Sequence, residues 1–115
     1  MEKHAWPWDK SLDATIAAPN SHKVLLENDQ TRVVEVVILA GHREPAHTHE
    51  WPSVMIVDQS TKIIYYDANG KGTEYPARDV SGGKPFVEWL EPEELHAVEN
   101  LENRPYHAIR IEFKS

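Results

Sequence analysis

Hydrophobic and polar positions alternate along this chain in short runs, and no helical spacing is sustained. Thr31 to Leu39 carries Val33, Val34, Val36, Val37, Ile38 and Leu39, a mostly β-branched set whose stiff side chains favour strand over helix. Glu35 interrupts this run on the face opposite Val34 and Val36, where it keeps an outer face wet. Tyr106 to Phe113 sets Ala108, Arg110 and Glu112 against Ile109, Ile111 and Phe113, the period-2 signature of a strand. Charged residues seldom enter a small core without a partner, so Arg110 is expected outward, beside Glu112. An inward Arg110 would instead suit an anionic substrate.

Further strand-like runs cover Lys23 to Asn28, Ser53 to Asp58, Lys62 to Asp67, Pro85 to Leu90 and Leu95 to Asn100. In the fourth of these, Trp89 is expected to reach the interior while Glu88 faces water. Turn chemistry separates the runs: Asn28-Asp29-Gln30, Gln59-Ser60-Thr61 and, strongest, Asp67-Ala68-Asn69-Gly70-Lys71-Gly72, rich in residues that favour turns. Two paired strands around Asn69-Gly70 would make a meander. Thr73 to Lys84 is less ordered in pattern, with loop-like Arg78, Asp79, Ser81, Gly82 and Gly83, and Glu91 to Glu94 reads as a loop rim. Ser11 to Ala18 holds at most a short helical turn. Many short strands with regular turns predict an all-β sandwich or barrel, and a barrel leaves no exposed edge. Residues 1–21, with Trp6 and Trp8 flanking Pro7, read as an N-terminal arm laid over apolar surface of the domain or of a neighbouring subunit. Residues 22–115 form the single β domain.

Charge narrows the range of functions. With 12 Lys and Arg against 19 Asp and Glu, the formal net charge is −7. The basic residues are scattered singly, so a phosphate-tracking groove for nucleic acid is not expected. The sequence has no cysteine, which excludes a disulfide scaffold and a thiolate metal site. No apolar stretch is long enough to span a bilayer, and no apolar run follows Lys3 and His4 as in a signal peptide. A soluble cytoplasmic protein is expected.

The stretch with chemistry is Gly41 to Trp51, in which His47 and His49 stand two apart. In extended chain, residues i and i+2 point to one side, so both imidazoles would share a face. His96 is the candidate third member. Three imidazoles suit a divalent first-row ion such as Zn, Fe, Ni, Mn or Cu; two histidines on a wet strand face need none. Glu94 shares parity with His96 and is a candidate fourth ligand or a partner for a ligand imidazole; otherwise it is one of a cluster of loop carboxylates. Asn100, four residues after His96, either donates into the site or settles the following turn. Trp51 and Trp89 are candidate walls of a small apolar pocket. Tyr65, Tyr75 and Tyr106 offer phenolic donors. His107 is expected in core or interface, and His4, His22 and His42 at the surface.

The pattern Gly41, five residues, His47, one residue, His49 resembles the opening of the first motif of the cupin superfamily. His96, three residues, Asn100 resembles the end of the second. The resemblance spans about Val24 to Phe113 and implies a double-stranded β-helix, a jelly-roll barrel. It also implies a metal held by two histidines and a glutamate of the first motif and one histidine of the second. The family glutamate falls at Ser53 or Val54 here, and neither can replace it. The second motif has a shifted Pro92 and no glycine. Some small cupins bind metal with three histidines and waters, and others have lost the metal. The expectation here is one divalent first-row metal ion on His47, His49 and His96, with water or a small-molecule ligand beside it. The family often pairs as homodimers, and two tryptophans in a polar arm predict that the Trp6–Trp8 arm contributes to one. Three functions remain open: a metal-dependent enzyme on a small molecule, a non-enzymatic ligand-binding or sensing domain, and a metal-free structural protein.

Overall fold

Residues 6–114 are described by the computed structural model. His4 and the beginning of the arm lie outside the described residues. A 3-10 turn, Lys10–Leu12, and the one-turn helix α1, Ala14–Ala17, precede the strands. These are β1 His22–Glu27, β2 Thr31–Ile38, β3 His47–His49, β4 Ser53–Gln59, β5 Ile63–Tyr66, β6 Gly72–Tyr75, β7 Phe86–Leu90, β8 Glu93–Asn100 and β9 Tyr106–Phe113. Asp9 and Asp13 cap the two helical turns, each accepting a backbone N–H two residues on, as short acidic side chains do at helix starts.

The strands form a five-stranded sheet in the order β1-β2-β9-β4-β7 and a four-stranded sheet in the order β3-β8-β5-β6. This is jelly-roll topology, but the closed barrel expected from the sequence is not formed. The ladders stop at β1 and β7 on one sheet and at β3 and β6 on the other. The seam segments explain why. β3 has only three residues, and the stretches flanking β3 and following β6 contain Pro45, Pro52, Pro76 and Pro85. Proline has no N–H to donate, so a continuous ladder cannot cross them.

The apolar core fills one part of the space between the sheets. Val34, Val36, Ile38, Met55, Val57 and Ala108 are buried there, with Phe86, Leu90, Val98 and Tyr106 packed against them. The period of β9 is as expected, but its faces are the reverse of what hydrophobicity suggests. Ala108, Arg110 and Glu112 are buried, while Ile109, Ile111 and Phe113 lie on the outer face. β7 is reversed as well: Glu88 lines the interior cavity, and Trp89 is 54% exposed on the outer face, stacked on Phe113. The pairing register places Leu26, Val33, Ile111, Val54 and Trp89 in one apolar cross-strand row on the outside of the five-stranded sheet.

Asn100 locks the loop connections of the two sheets. It is fully buried, and its amide nitrogen reaches the carbonyls of Ile38 and Arg104 at 3.0 and 2.7 Å, with that of Leu39 at 3.4 Å. Its Oδ1 accepts the Glu102 N–H. It settles the turn between β8 and β9 and does not line the cavity. Asn100→Ala strands these buried groups, each worth about 1–3 kcal/mol when left unpaired. Urea unfolding of this variant is expected to show a stability loss of about 2–3 kcal/mol.

Candidate metal centre

Four imidazoles converge on one end of the cavity between the sheets. His47 and His49 lie on β3, His96 on β8 and His22 at the start of β1, and all four are buried. Antiparallel pairing sets His47 directly opposite His96. His22 arrives from the other sheet, delivered by the turn that follows α1. The ring centroids lie 4.6 Å apart for His22 and His47, 4.5 Å for His47 and His96, 5.0 Å for His47 and His49, and 5.4 Å for His49 and His96. His22, His47 and His49 each place one ligand-capable nitrogen within 4.8 Å of the other two; Glu44 with His47 and His96, and Glu93 with His49 and His96, do the same.

Backbone carbonyls fix the tautomer of three rings. Nδ1 of His22 lies 3.2 Å from the Ala18 carbonyl and 3.0 Å from Ser21 Oγ, whose proton goes to Glu44. Nδ1 of His47 is 2.8 Å from the Pro45 carbonyl, and Nδ1 of His96 is 2.7 Å from that of Glu94. A carbonyl only accepts, so each Nδ1 carries the proton and each neutral ring keeps its lone pair on Nε2. Burial favours that neutral form. It pushes His22 down to about 4 and His47 to about 2, with the like charges of neighbouring rings adding to the effect at His47. His49 and His96 are also lowered, chiefly by burial.

Three carboxylates border the cluster. Glu44, in the loop before β3, lies with Oε2 3.3 Å from His47 Nε2 and accepts the Ser21 hydroxyl on Oε1. Burial pushes its pKa up to about 8. Glu93 is 3.7 Å from His96 Nε2 and receives Tyr65 Oη–H at 3.0 Å and an Arg110 N–H at 2.7 Å. Burial acts to raise the pKa of Glu93, but Arg110 and His96 outweigh it and the net shift is downward. Glu112 lies 3.5 Å from His49 Nδ1. Arg110 itself is inward, buried to 2%, and donates from Nε to Ser53 Oγ at 3.1 Å. Ser53, at the position where a motif glutamate was sought, therefore supports a cation instead.

The structure brings His47, His49 and His96 together and separates the other candidates. Glu94 is exposed and contributes only its carbonyl. A register shift between β3 and β8 pairs His49 with Glu93, and such a bulge reverses side-chain parity; Glu93 takes the inward place that regular alternation assigned to Glu94. Trp51 is half-buried outside the cavity, under the Arg32 guanidinium and the Lys114 ammonium. Trp89 and Asn100 are likewise outside it. His107 is on the outer face between Asp58 and Glu35. Sequence reasoning passed over His22, Glu44, Glu93 and Glu112 as members of the cluster. Glu44 stood inside the motif stretch and Pro92 hinted at an irregular strand, but nothing local marked His22 or Glu112.

The cavity has a volume of about 300 Å³ and polar groups at its histidine end. Its walls include Ile38, Met55, Val57, Ile63, Leu90 and Tyr106. Such a space suits a small, mainly apolar molecule with one polar end turned to the imidazoles.

Comparison with known proteins places the fold. No protein-family model matches the chain, and no curated protein matches it. Among solved structures, a cupin domain from Bordetella pertussis Tohama I superposes with a TM-score of 0.69 at 16% identity, over 82% of this chain and 92% of that one. A double-stranded β-helix protein from Klebsiella pneumoniae gives 0.57 at 21% identity, over 78% and 72%. The polyketide cyclase RemF from Streptomyces resistomycificus gives 0.54 at 14% identity, over 98% and 80%. The chain has the cupin fold, with its two sheets unclosed.

The imidazole shifts set a sign for stability against pH. A ring held at about 4, as His22 is, binds its proton more weakly in the fold than in the unfolded chain, where the value is 6.5. Its contribution is whole above pH 6.5 and is lost as the pH falls toward 4. Glu44 works oppositely: its contribution is whole below 4.5 and is lost as pH rises through about 8. Burial raises Glu112 in the same direction as Glu44, and the four rings outweigh these two acids on the acidic side. With chelator present, the urea midpoint is expected to fall steeply between pH 6.5 and 4, and His22→Gln is expected to flatten that slope.

Proposed function

We propose that the protein holds one divalent first-row metal ion, among Zn, Fe, Ni, Mn and Cu, on His47, His49 and His96, with His22 as a fourth nitrogen donor. In this reading it is a metal-dependent enzyme acting on a small, mainly apolar molecule in the cavity. The observation that carries the reading is a cluster of four buried rings, three of them with Nδ1 on a backbone carbonyl. In it His22, His47 and His49 place ligand-capable nitrogens within 4.8 Å of one another, and His96 joins His47 with Glu44 and His49 with Glu93 at the same reach. Burying so many imidazoles without ligand partners is costly; Nε2 of His47 makes no hydrogen bond, and its nearest polar neighbour is Glu44 Oε2 at 3.3 Å. The donor set fits the ion: neutral imidazoles suit Zn, Fe, Ni and Cu, and a nearby carboxylate suits Mn. The positive charge of Arg110 opposes a cation, but Glu93 offsets it at 2.7 Å.

A bound divalent ion would supply Lewis-acid polarisation of a ligand oxygen or an activated water. The chain's own residues supply the rest. Glu44 keeps a proton on its carboxyl near neutral pH, while Glu93 is held ionised by Arg110. Two carboxyl groups whose environments push their pKa values apart are suited to give and to take a proton. The apolar walls would orient the ligand with its polar end toward the imidazoles. A second reading, binding without turnover, is favoured by the commitment of Glu93 to Arg110 and Tyr65. That a polyketide cyclase shares the fold supports the enzymatic reading.

Elemental analysis of untagged protein purified without chelator is expected to give about one metal ion per chain on this coordination argument, and His47→Ala with His49→Ala is expected to abolish it. A folded wild type without metal, or a double variant that keeps it, would refute the site. We also propose a homodimer in which a second copy covers the apolar outer row of Leu26, Val33, Ile111, Val54 and Trp89, with the Trp6–Trp8 arm contributing. Light scattering is expected to give twice the chain mass, reduced to the monomer by Ile111→Glu.

A further inference from the structure

His49 differs from the other three rings. No backbone carbonyl receives its Nδ1. That atom is buried without a hydrogen-bond partner, and so is Oε2 of Glu112. The two lie 3.5 Å apart, and the residues are 2% and 0% exposed. The other oxygen of Glu112 is taken. Arg32 donates to Oε1 from Nε at 2.5 Å, and its two terminal nitrogens clasp Asp13 at 3.1 and 2.9 Å. Arg32 is also 6% exposed. A single line of charged groups thus runs from the cap of α1, through β2 and β9, to one ring of the cluster.

We infer that Glu112, held by Arg32 and Asp13, is the positioning residue that assigns the Nδ1–H tautomer to His49 and so turns its Nε2 lone pair toward the other imidazoles. The argument is one of donors and acceptors. Arg32 can only donate, so Oε1 of Glu112 must accept. Oε2, which makes no hydrogen bond and has Arg110 Nε 3.8 Å away, then presents an acceptor to the ring, and a ring that donates from Nδ1 keeps its lone pair on Nε2. Glu112 does for His49 what the carbonyls of Ala18, Pro45 and Glu94 do for the other rings. Carboxylates behind ligand histidines commonly hold ring orientation and metal affinity in this way. The inference rests on the metal reading for its consequence, though the tautomer itself is a property of the metal-free protein.

Glu112→Gln tests the assignment at nearly constant shape. Arg32 still requires an oxygen, so the amide oxygen stays at the Arg32 side and the NH₂ group faces His49. The ring must then accept at Nδ1 and carry its proton on Nε2. Long-range ¹H–¹⁵N correlation spectra of the ¹⁵N-labelled, metal-free protein report the tautomer of each ring. The expected result is Nδ1–H at all four rings in wild type, and Nε2–H at His49 alone in Glu112→Gln. Zinc titration is expected to show a loss of about 10–100-fold in affinity for the variant. A wild-type His49 protonated on Nε2, or a variant whose His49 is unchanged, overturns the proposal. The wild-type spectrum needs no variant, so it decides the matter even where Glu112→Gln fails to fold. If wild type takes up none of Zn, Fe, Ni, Mn or Cu, the metal reading fails, and the tautomer measured in the metal-free protein still decides the role of Glu112.

Discussion

Two buried arginines set the conditions for the interior. Arg32 on β2 and Arg110 on β9 both point between the sheets, and a guanidinium there must meet carboxylates or disrupt the fold. Arg110 reaches Glu93 on the opposite sheet. Arg32 reaches Glu112 on its neighbouring strand and Asp13 on the segment before β1. These ion pairs tie the two sheets and the N-terminal turn to one another at the end that holds the histidines. Removing either arginine would leave buried acids beside an imidazole cluster. Removing Asp13 would free Arg32 to swing away from Glu112.

The strands themselves were legible. Alternation located β2, β4, β5, β7 and β9, and the Asp67 to Gly72 turn located the hairpin of β5 and β6. What alternation does not give is which face is inside. Hydrophobicity sends Ile109, Ile111 and Trp89 inward; the fold sends Arg110, Glu112 and Glu88 inward instead. The inversion at β9 is stable because Arg110 meets Glu93 on β8 and Glu112 meets Arg32 on β2, and sequence pattern cannot see cross-strand partners. Barrel closure was misjudged for a related reason. The proline-bearing seams were visible, but their power to end a ladder depends on which strands would have met there.

The cluster was half legible. His47 and His49 carry a two-residue spacing, and His96 comes through the family resemblance. His22 has no spacing to announce it, because its place depends on β1 lying beside β2 and on the turn after α1. Glu93 was hidden by a single bulge, which shifts parity by one residue and exchanges it with Glu94. A one-residue slip moves a side chain to the other face, so the choice between adjacent glutamates lay beyond any reading that assumes a regular strand.

The distribution of apolar and polar groups inside the molecule follows from the same constraint. Val34, Val36, Ile38, Met55, Val57 and Ala108 give apolar packing between the sheets, and the imidazoles and their acids gather at one end of the cavity that Val36, Ile38, Met55 and Val57 help to line. The first offsets what the second costs: neutral rings excluded from water, carboxylates held far from their ordinary proton affinities, and nitrogens left without hydrogen bonds. A stability-optimised interior would replace His47 and His49 with valines and discard Arg32 and Arg110 together with their partners. The chain keeps instead an arrangement in which every ring is aimed from behind and its inward nitrogen is left free. Structural economy does not account for that aim. The proposed metal ion would account for it, with the carbonyls of Ala18, Pro45 and Glu94, and Glu112 beside the fourth ring, holding the imidazoles from behind.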